Sequence, residues 1–207
     1  MSSRTRVAII NDHVFHVSKN VYMPAEDSFL IAENMIVEED ELVLDMGVGC
    51  GILSILAAEK AKKVIAIDIN PLALSCSKDN IKRNAVNDNV DLLCGDLFSP
   101  LRNKRRFDLI LFNAPYLPSK SFSHDSWISY AWIGGINGRQ VIDRFLLEAS
   151  SYMKNTGRIL LVHSTLADVN ETFQRLKKND LVPVIIARKK LAFFEELVVV
   201  QANKRSY

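Results

Sequence analysis

Residues 41–51 read Glu-Leu-Val-Leu-Asp-Met-Gly-Val-Gly-Cys-Gly, ELVLDMGVGCG. A short apolar run, 41–46, predicts a buried strand. Three glycines at alternate positions predict a tight turn, and the residues from Gly51 to Lys60 predict the helix that follows. The pattern repeats along the chain. KVIAID (63–68) reads as a second strand, and 71–84 as a helix with Pro71 in its first turn, where a missing N–H is tolerated. Residues 90–94, 107–113 and 158–163 read as three more strands, 138–151 and 167–179 as helices, and 182–188 and 196–202 as two final strands. Short apolar strands alternating with helices indicate a parallel sheet covered on both faces, an α/β fold. Only 189–195 join the last two strands, too few residues for a parallel crossover, so the final strand must run antiparallel as a hairpin.

The 207 residues are 48% hydrophobic, enough for one sizeable core, so a single domain over 1–207 is expected. Within it, 1–20 reads as a lead segment. Charged residues are 24% of the chain and the formal net charge is +2, which supplies no field for nucleic acid or an anionic membrane. The basic run at 102–106 could touch phosphate but also suits a solvated loop. Cys50, Cys76 and Cys94 are an odd set without CxxC spacing, which argues against a disulfide framework or a zinc site and fits a reducing cytosol. No apolar run reaches the roughly 20 residues of a membrane span, so a soluble, cytoplasmic protein is expected.

The glycine turn is DxGxGxG, not the GxGxxG that seats a dinucleotide pyrophosphate. A carboxylate at Asp45 suits a ligand carrying ammonium or sulfonium charge. Asp68 ends the second strand, where an acid can accept hydrogen bonds from a ribose diol. Asp96 follows the third, where its carboxylate could accept from an adenine amine while Leu97 lends its amide. Each acid alone also suits a helix N-cap. Three acids at three successive strand ends point to one crevice. These residues resemble the cofactor motifs of class I S-adenosylmethionine-dependent methyltransferases. The resemblance implies a Rossmann-like, seven-stranded sheet in the order 3-2-1-4-5-7-6 with strand 7 antiparallel.

The strand 107–113 ends in Asn113-Ala114-Pro115-Tyr116. This looks like the (Asn/Asp)-Pro-Pro-Tyr motif of methyltransferases that act on planar nitrogens, adenine N6 or a glutamine amide. Such a nitrogen has its lone pair delocalised and is a poor nucleophile. Acceptors on its two hydrogens, the Asn113 side-chain oxygen and the Ala114 carbonyl, would aim the remaining direction at the methyl donor. Tyr116 would pack against the flat substrate group. Ala114 departs from the motif's proline. It keeps the carbonyl and loses φ restraint worth about 0.4–1 kcal/mol.

Upstream, Tyr22-Met23-Pro24-Ala25-Glu26-Asp27-Ser28 resembles a segment of the HemK-type glutamine-N5 methyltransferases whose acidic and hydroxyl residues lie over the methionine part of the cofactor. Residues 21–40 are thus expected to cover the cofactor, although Pro24 and the acids also suit an ordinary helix entry. Downstream, Gly134-Gly135-Ile136-Asn137-Gly138 resembles that family's Gly-Gly-x-x-Gly segment. Its glycines imply a tight loop beside the cleft, with Trp132 as a core anchor. The resemblance implies cofactor contacts at Ser28, Asp45, Gly47, Gly49, Gly51, Asp68, Ile69, Asp96, Leu97 and Asn113. It implies catalysis by Asn113, Ala114, Pro115 and Tyr116, with no metal.

With about twenty residues before Tyr22, the chain resembles the short archaeal and eukaryotic branch, which methylates the Gly-Gly-Gln glutamine of class 1 release factor. That branch implies S-adenosylmethionine as cofactor and, in some members, a small zinc-binding activator protein. The inherited topology places 90–94 at a sheet edge, where an apolar strand invites a partner chain. His13, His16, His124 and His163 are read as surface or structural residues. Adenine-N6 methylation would need a recognition domain or a long basic surface. Lysine methylation and a catalytically inactive cofactor-binding scaffold are further alternatives, the last resting on Ala114 alone.

Overall fold

The computed structural model describes residues 6–102, 104, 106–119 and 126–205. The elements run β1 (Arg6–Ile10), β2 (His13–Val17), α1 (Glu26–Asn34), β3 (Leu42–Met46), α2 (Ile52–Ala58), β4 (Lys63–Asp68), α3 (Pro71–Arg83), β5 (Val90–Cys94) and β6 (Phe107–Asn113). Then follow α4 (Gln140–Tyr152), β7 (Met153–Ser164), α5 (Val169–Lys178), β8 (Leu181–Lys190) and β9 (Glu196–Lys204), with 3-10 turns at Trp127–Ala131 and Thr165–Ala167. Seven strands form one sheet in the order β5-β4-β3-β6-β7-β9-β8. β9 is antiparallel to both neighbours and the other pairings are parallel. This is the sheet expected from the sequence, with 90–94 at one edge.

β6 shows why these strands are continuously apolar. Leu109 and Leu111 point into the core shared with α2 and α3, whereas Ile110 and Phe112 point into the core shared with α4. All four are buried, so a polar residue at any of them would lose its water without gaining a partner. On the second face Phe98 stacks on Tyr152 at 4.5 Å and Phe112 meets Phe145 at 4.6 Å.

Two elements depart from the sequence reading. β7 begins at Met153, not 158, because Met153 pairs with Phe107 across a register shift. Gly157 permits the kink: a Cβ there would lie 2.7 Å from the Phe107 carbonyl oxygen. The lead segment contains the β1–β2 hairpin, whose Phe15 and Val17 are buried in the first core. Asn80 fastens it: its Oδ1 accepts from the His16 N–H at 2.9 Å, and its Nδ2 donates to the His16 and Cys50 carbonyls at 3.0 and 2.8 Å. One buried amide thus holds the hairpin, α3 and the glycine turn together. Among the described residues no helix is long and apolar enough to cross a membrane.

Candidate active site

The carboxyl ends of β3, β4 and β6 open into one cavity of about 440 Å³. Ser28, Asp45, Gly47, Gly49, Asp68, Ile69, Asp96, Leu97, Asn113 and Pro115 all line it. Gly51, Ala114 and Tyr116 do not. Gly51 begins α2 with φ +94°, and a Cβ on it would press on Ser77 Cβ at 3.2 Å, so it serves the packing of α2 on α3. Asn103 and Arg105 of the basic run, and His124, lie outside the described residues.

Asp45 is buried. Its Oδ2 accepts from Ser54 Oγ at 2.5 Å, and its Oδ1 has no hydrogen-bond partner. Burial, reinforced by the Asp68 charge and opposed by the Ser54 bond, raises its pKa from 3.8 to about 6. An orphaned carboxylate oxygen on a cavity wall is the feature an ammonium group would satisfy. Gly49, with φ +56°, faces open space where a side chain would protrude. Asp68 is oriented by backbone: Oδ2 accepts from Gly49 N–H at 2.9 Å and Oδ1 from Asn70 N–H at 2.8 Å. Each oxygen keeps a second lone pair for a diol. The lining therefore fits a nucleoside cofactor carrying an amino-acid group.

Asp96 lines the cavity and carries an ion pair. Its carboxylate is paired with Arg144 at 2.6 Å, a residue of α4 that also lines the cavity. Trp127 and Tyr130 add aromatic walls from the 3-10 turn. Trp132 is no core anchor: it is 40% exposed and meets the Tyr22 ring edge-on at 6.3 Å. His163 is buried, with Nδ1 against the Ser164 carbonyl and Nε2 unpartnered, and burial lowers its pKa to about 4.

The end of β6 is held by a network centred on Asp27 of α1. Tyr22 donates its hydroxyl to both carboxylate oxygens at 3.1 and 3.0 Å, and Tyr116 donates at 3.2 Å. Ser28 donates its N–H and Oγ–H to Oδ1 at 2.6 and 3.1 Å. The Tyr116 ring is thereby tied to α1 by its hydroxyl, and burial beside Asp27 raises the pKa of that hydroxyl and of Tyr22. Asn113 Nδ2 donates to Ser28 Oγ at 3.1 Å, which leaves Oδ1 as the acceptor end of the amide. Ala114 is buried, and its N–H reaches the Val162 carbonyl at 3.3 Å.

The sequence places Tyr22, Asp27 and Ser28 in one cofactor-covering segment but gives no sign of Arg144. The Tyr22 to Asp27 spacing was visible; that three hydroxyl groups converge on one carboxylate needed the fold. The glycine loop clasps the same strand end. A Cβ on Gly138 would lie 2.2 Å from the Tyr116 carbonyl oxygen, and one on Gly134 would lie 2.7 Å from that of Pro115.

The fold and this crevice define a class I methyltransferase. Residues 28–115 match the family model for ribosomal protein L11 methyltransferase (PrmA). MJ0928 of Methanocaldococcus jannaschii, a candidate protein N5-glutamine methyltransferase, is 42% identical over 184 residues, 88% of this chain and 91% of that one. Methyltransferase HEMK2 of Mus musculus is 33% identical over 79% of this chain and 80% of its own. The chain belongs to the HemK-type protein N5-glutamine methyltransferases. Among solved structures, the E. cuniculi Mtq2–Trm112 complex, described as responsible for methylation of the eRF1 translation termination factor, superposes with TM-score 0.70 at 24% identity. The match covers 90% of this chain and 99% of that one, and it reports the fold.

Proposed function

We propose that the chain methylates the side-chain amide of the Gly-Gly-Gln glutamine in class 1 release factor, with S-adenosylmethionine as methyl donor. The observation that carries this reading is the fixed Asn113 amide, whose Nδ2 is tied to Ser28 and whose Oδ1 is left to accept beside the cofactor-sized crevice.

Asp45 Oδ1 would hold the amino group of the cofactor, Asp68 its ribose hydroxyls, and Ile69 and Leu97 the faces of its base, with Asp96 and Arg144 at the base's polar edge. When bound, S-adenosylmethionine supplies a methyl group made electrophilic by its sulfonium. Asn113 Oδ1 and the Ala114 carbonyl accept the two amide hydrogens of glutamine, restrain its rotation and localise electron density on nitrogen. The buried proline turn keeps water from the reacting nitrogen. The proton leaves after attack, once the nitrogen is cationic, so no general base is required of His163.

The Aquifex aeolicus release factor glutamine methyltransferase, 30% identical over 72% of this chain, and the eRF1 assignment of the Mtq2–Trm112 complex support the substrate. That complex also supports a small activator partner; the open edge of β5, whose Leu92 and Leu93 are half-buried, is the seat we propose for it. The test is transfer of labelled methyl to release factor, with its glutamine intact or changed, with and without the host's small zinc protein. Label confined to the intact glutamine is the expected result. Label on both factors, or on neither, overturns the assignment.

A further inference from the structure

β8 is antiparallel to β9, which is antiparallel to β7, so the turn between β8 and β9 emerges at the same end of the sheet as Asn113. At its tip Phe193 and Phe194 are 97% and 106% exposed. Both have positive φ, +57° and +64°, a conformation costly for any residue with a Cβ and usually left to glycine or asparagine. Two aromatic rings that gain no burial and occupy strained backbone contribute nothing to folding. Their value lies in what they can touch.

The turn is braced against the cleft. Leu191 N–H closes it onto the Glu195 carbonyl at 2.8 Å, and Leu191 packs into the core that includes Tyr116. Lys189 pairs with Glu26, the neighbour of Asp27, and Glu196 N–H donates to Thr165 Oγ1 at 3.1 Å. That 3-10 turn in its turn meets the glycine loop, for a Cβ on Gly138 would lie 3.4 Å from Ala167 Cβ. Leu166 and Ile136 project from these two segments, 49% and 79% exposed. Three adjoining loops therefore present apolar side chains along one rim of the cleft. Of the charges bordering the tip, Arg188 is paired with Glu196 and Lys189 with Glu26, while Lys190 and Glu195 flank the two rings as well.

We infer that Phe193 and Phe194, continued by Leu166 and Ile136, are the docking surface for the body of the protein substrate. This rests on the function proposed above. A glutamine side chain is short, so the protein carrying it must lie against the rim while the amide reaches Asn113, and an exposed apolar rim fits an apolar patch beside the glutamine loop.

The test compares wild type, Phe193→Ser/Phe194→Ser and Ile136→Ser on intact release factor and on a short peptide containing the glutamine, with gel filtration of each enzyme. KM for the intact factor should rise about tenfold in the double variant, with kcat, cofactor affinity, melting temperature and peptide turnover unchanged. Ile136→Ser should shift the same constant in the same direction. An unchanged KM with an active wild type overturns the docking surface and leaves the methylation reading standing. Equal losses on factor and peptide, or a loss of self-association without a KM change, also overturn it. A wild type that labels no release factor removes the methylation reading, and the docking surface with it.

Discussion

Asn113 Nδ2 donates to Ser28 Oγ at 3.1 Å across 85 residues of sequence, and Ser28 Oγ in turn donates to Asp27. The bond decides which end of the Asn113 amide remains for a substrate. Asn113→Ala removes the acceptor itself and should lower kcat about 10²–10³-fold, as loss of an oriented polar group at a reacting centre does. Ser28→Ala leaves the acceptor but frees the amide to rotate. It should lower kcat about tenfold with the melting temperature little changed, and weaken cofactor binding modestly because Ser28 also lines the crevice. Steady-state rates with calorimetric cofactor binding separate the two. Equal losses in both variants would mean that Ser28 does more than orient.

Ala114 departs from the motif for a reason visible in the sheet. Its N–H reaches the Val162 carbonyl at 3.3 Å, a bond that proline cannot make. Ala114→Pro would gain about 0.4–1 kcal/mol from a stiffer unfolded chain but leave a buried carbonyl unpaired at a cost of about 1–3 kcal/mol. The loss wins, and the melting temperature should fall by about 2–4 °C. A higher melting temperature would show that the carbonyl finds another donor.

Most of the sheet was legible because β3, β4 and β6 are short, largely apolar on both faces and punctuated by glycine or proline, so period and length agree. The β1–β2 hairpin was not: Val7, Ile9 and Val14 are exposed, which breaks the inward-apolar alternation, and its attachment is through Asn80, 64 residues from His16. In the site, residues on strand ends and their turns were readable because topology places every such end in one crevice. Asp27 and Arg144 act through partners that only the fold brings near, and the contact of the Tyr116 hydroxyl with α1 is written in no spacing of the sequence.

Gly138 combines φ +73° with a Cβ position 2.2 Å from the Tyr116 carbonyl oxygen, and that obstacle is backbone. Gly138→Ala must either push the loop off the motif or shift Tyr116 out of reach of Asp27. Left-handed strain alone costs about 1–2 kcal/mol, so the total should exceed that of Ala114→Pro in a denaturant titration. Activity should fall further than the stability loss accounts for. Gly49→Ala is the contrasting case: its φ of +56° carries the same left-handed strain, but its Cβ would meet nothing nearer than the Gly47 carbonyl oxygen at 4.0 Å, so it should cost folding that strain alone and weaken cofactor binding besides.

Asp45 and His163 are both buried and respond to pH in opposite senses. The Asp45 pKa is raised from 3.8 to about 6, so the folded state holds a proton that the unfolded state has released. Its contribution to stability is complete below pH 3.8 and is lost as pH rises through about 6. The His163 pKa is lowered from 6.5 to about 4, so its contribution is present above pH 6.5 and is lost as pH falls through about 4. Over the shared window the two slopes oppose, and the cofactor-free wild type should show a nearly flat contribution from this pair. Asp45→Asn removes one slope. Relative to wild type, the variant should gain stability at neutral pH, where wild type carries a buried charge, and lose that advantage on acidification by about 1.4 kcal/mol per pH unit. Cofactor affinity should move the other way. Ionised Asp45 is the form that receives an ammonium group, so wild-type affinity should rise with pH up to about 6 and then level off, whereas Asp45→Asn should bind weakly with no such rise. Chemical denaturation and calorimetry at several pH values measure both quantities. A pH-independent wild-type affinity would mean that Asp45 does not receive the charged end of the ligand, even if the stability difference between the two proteins behaved as described.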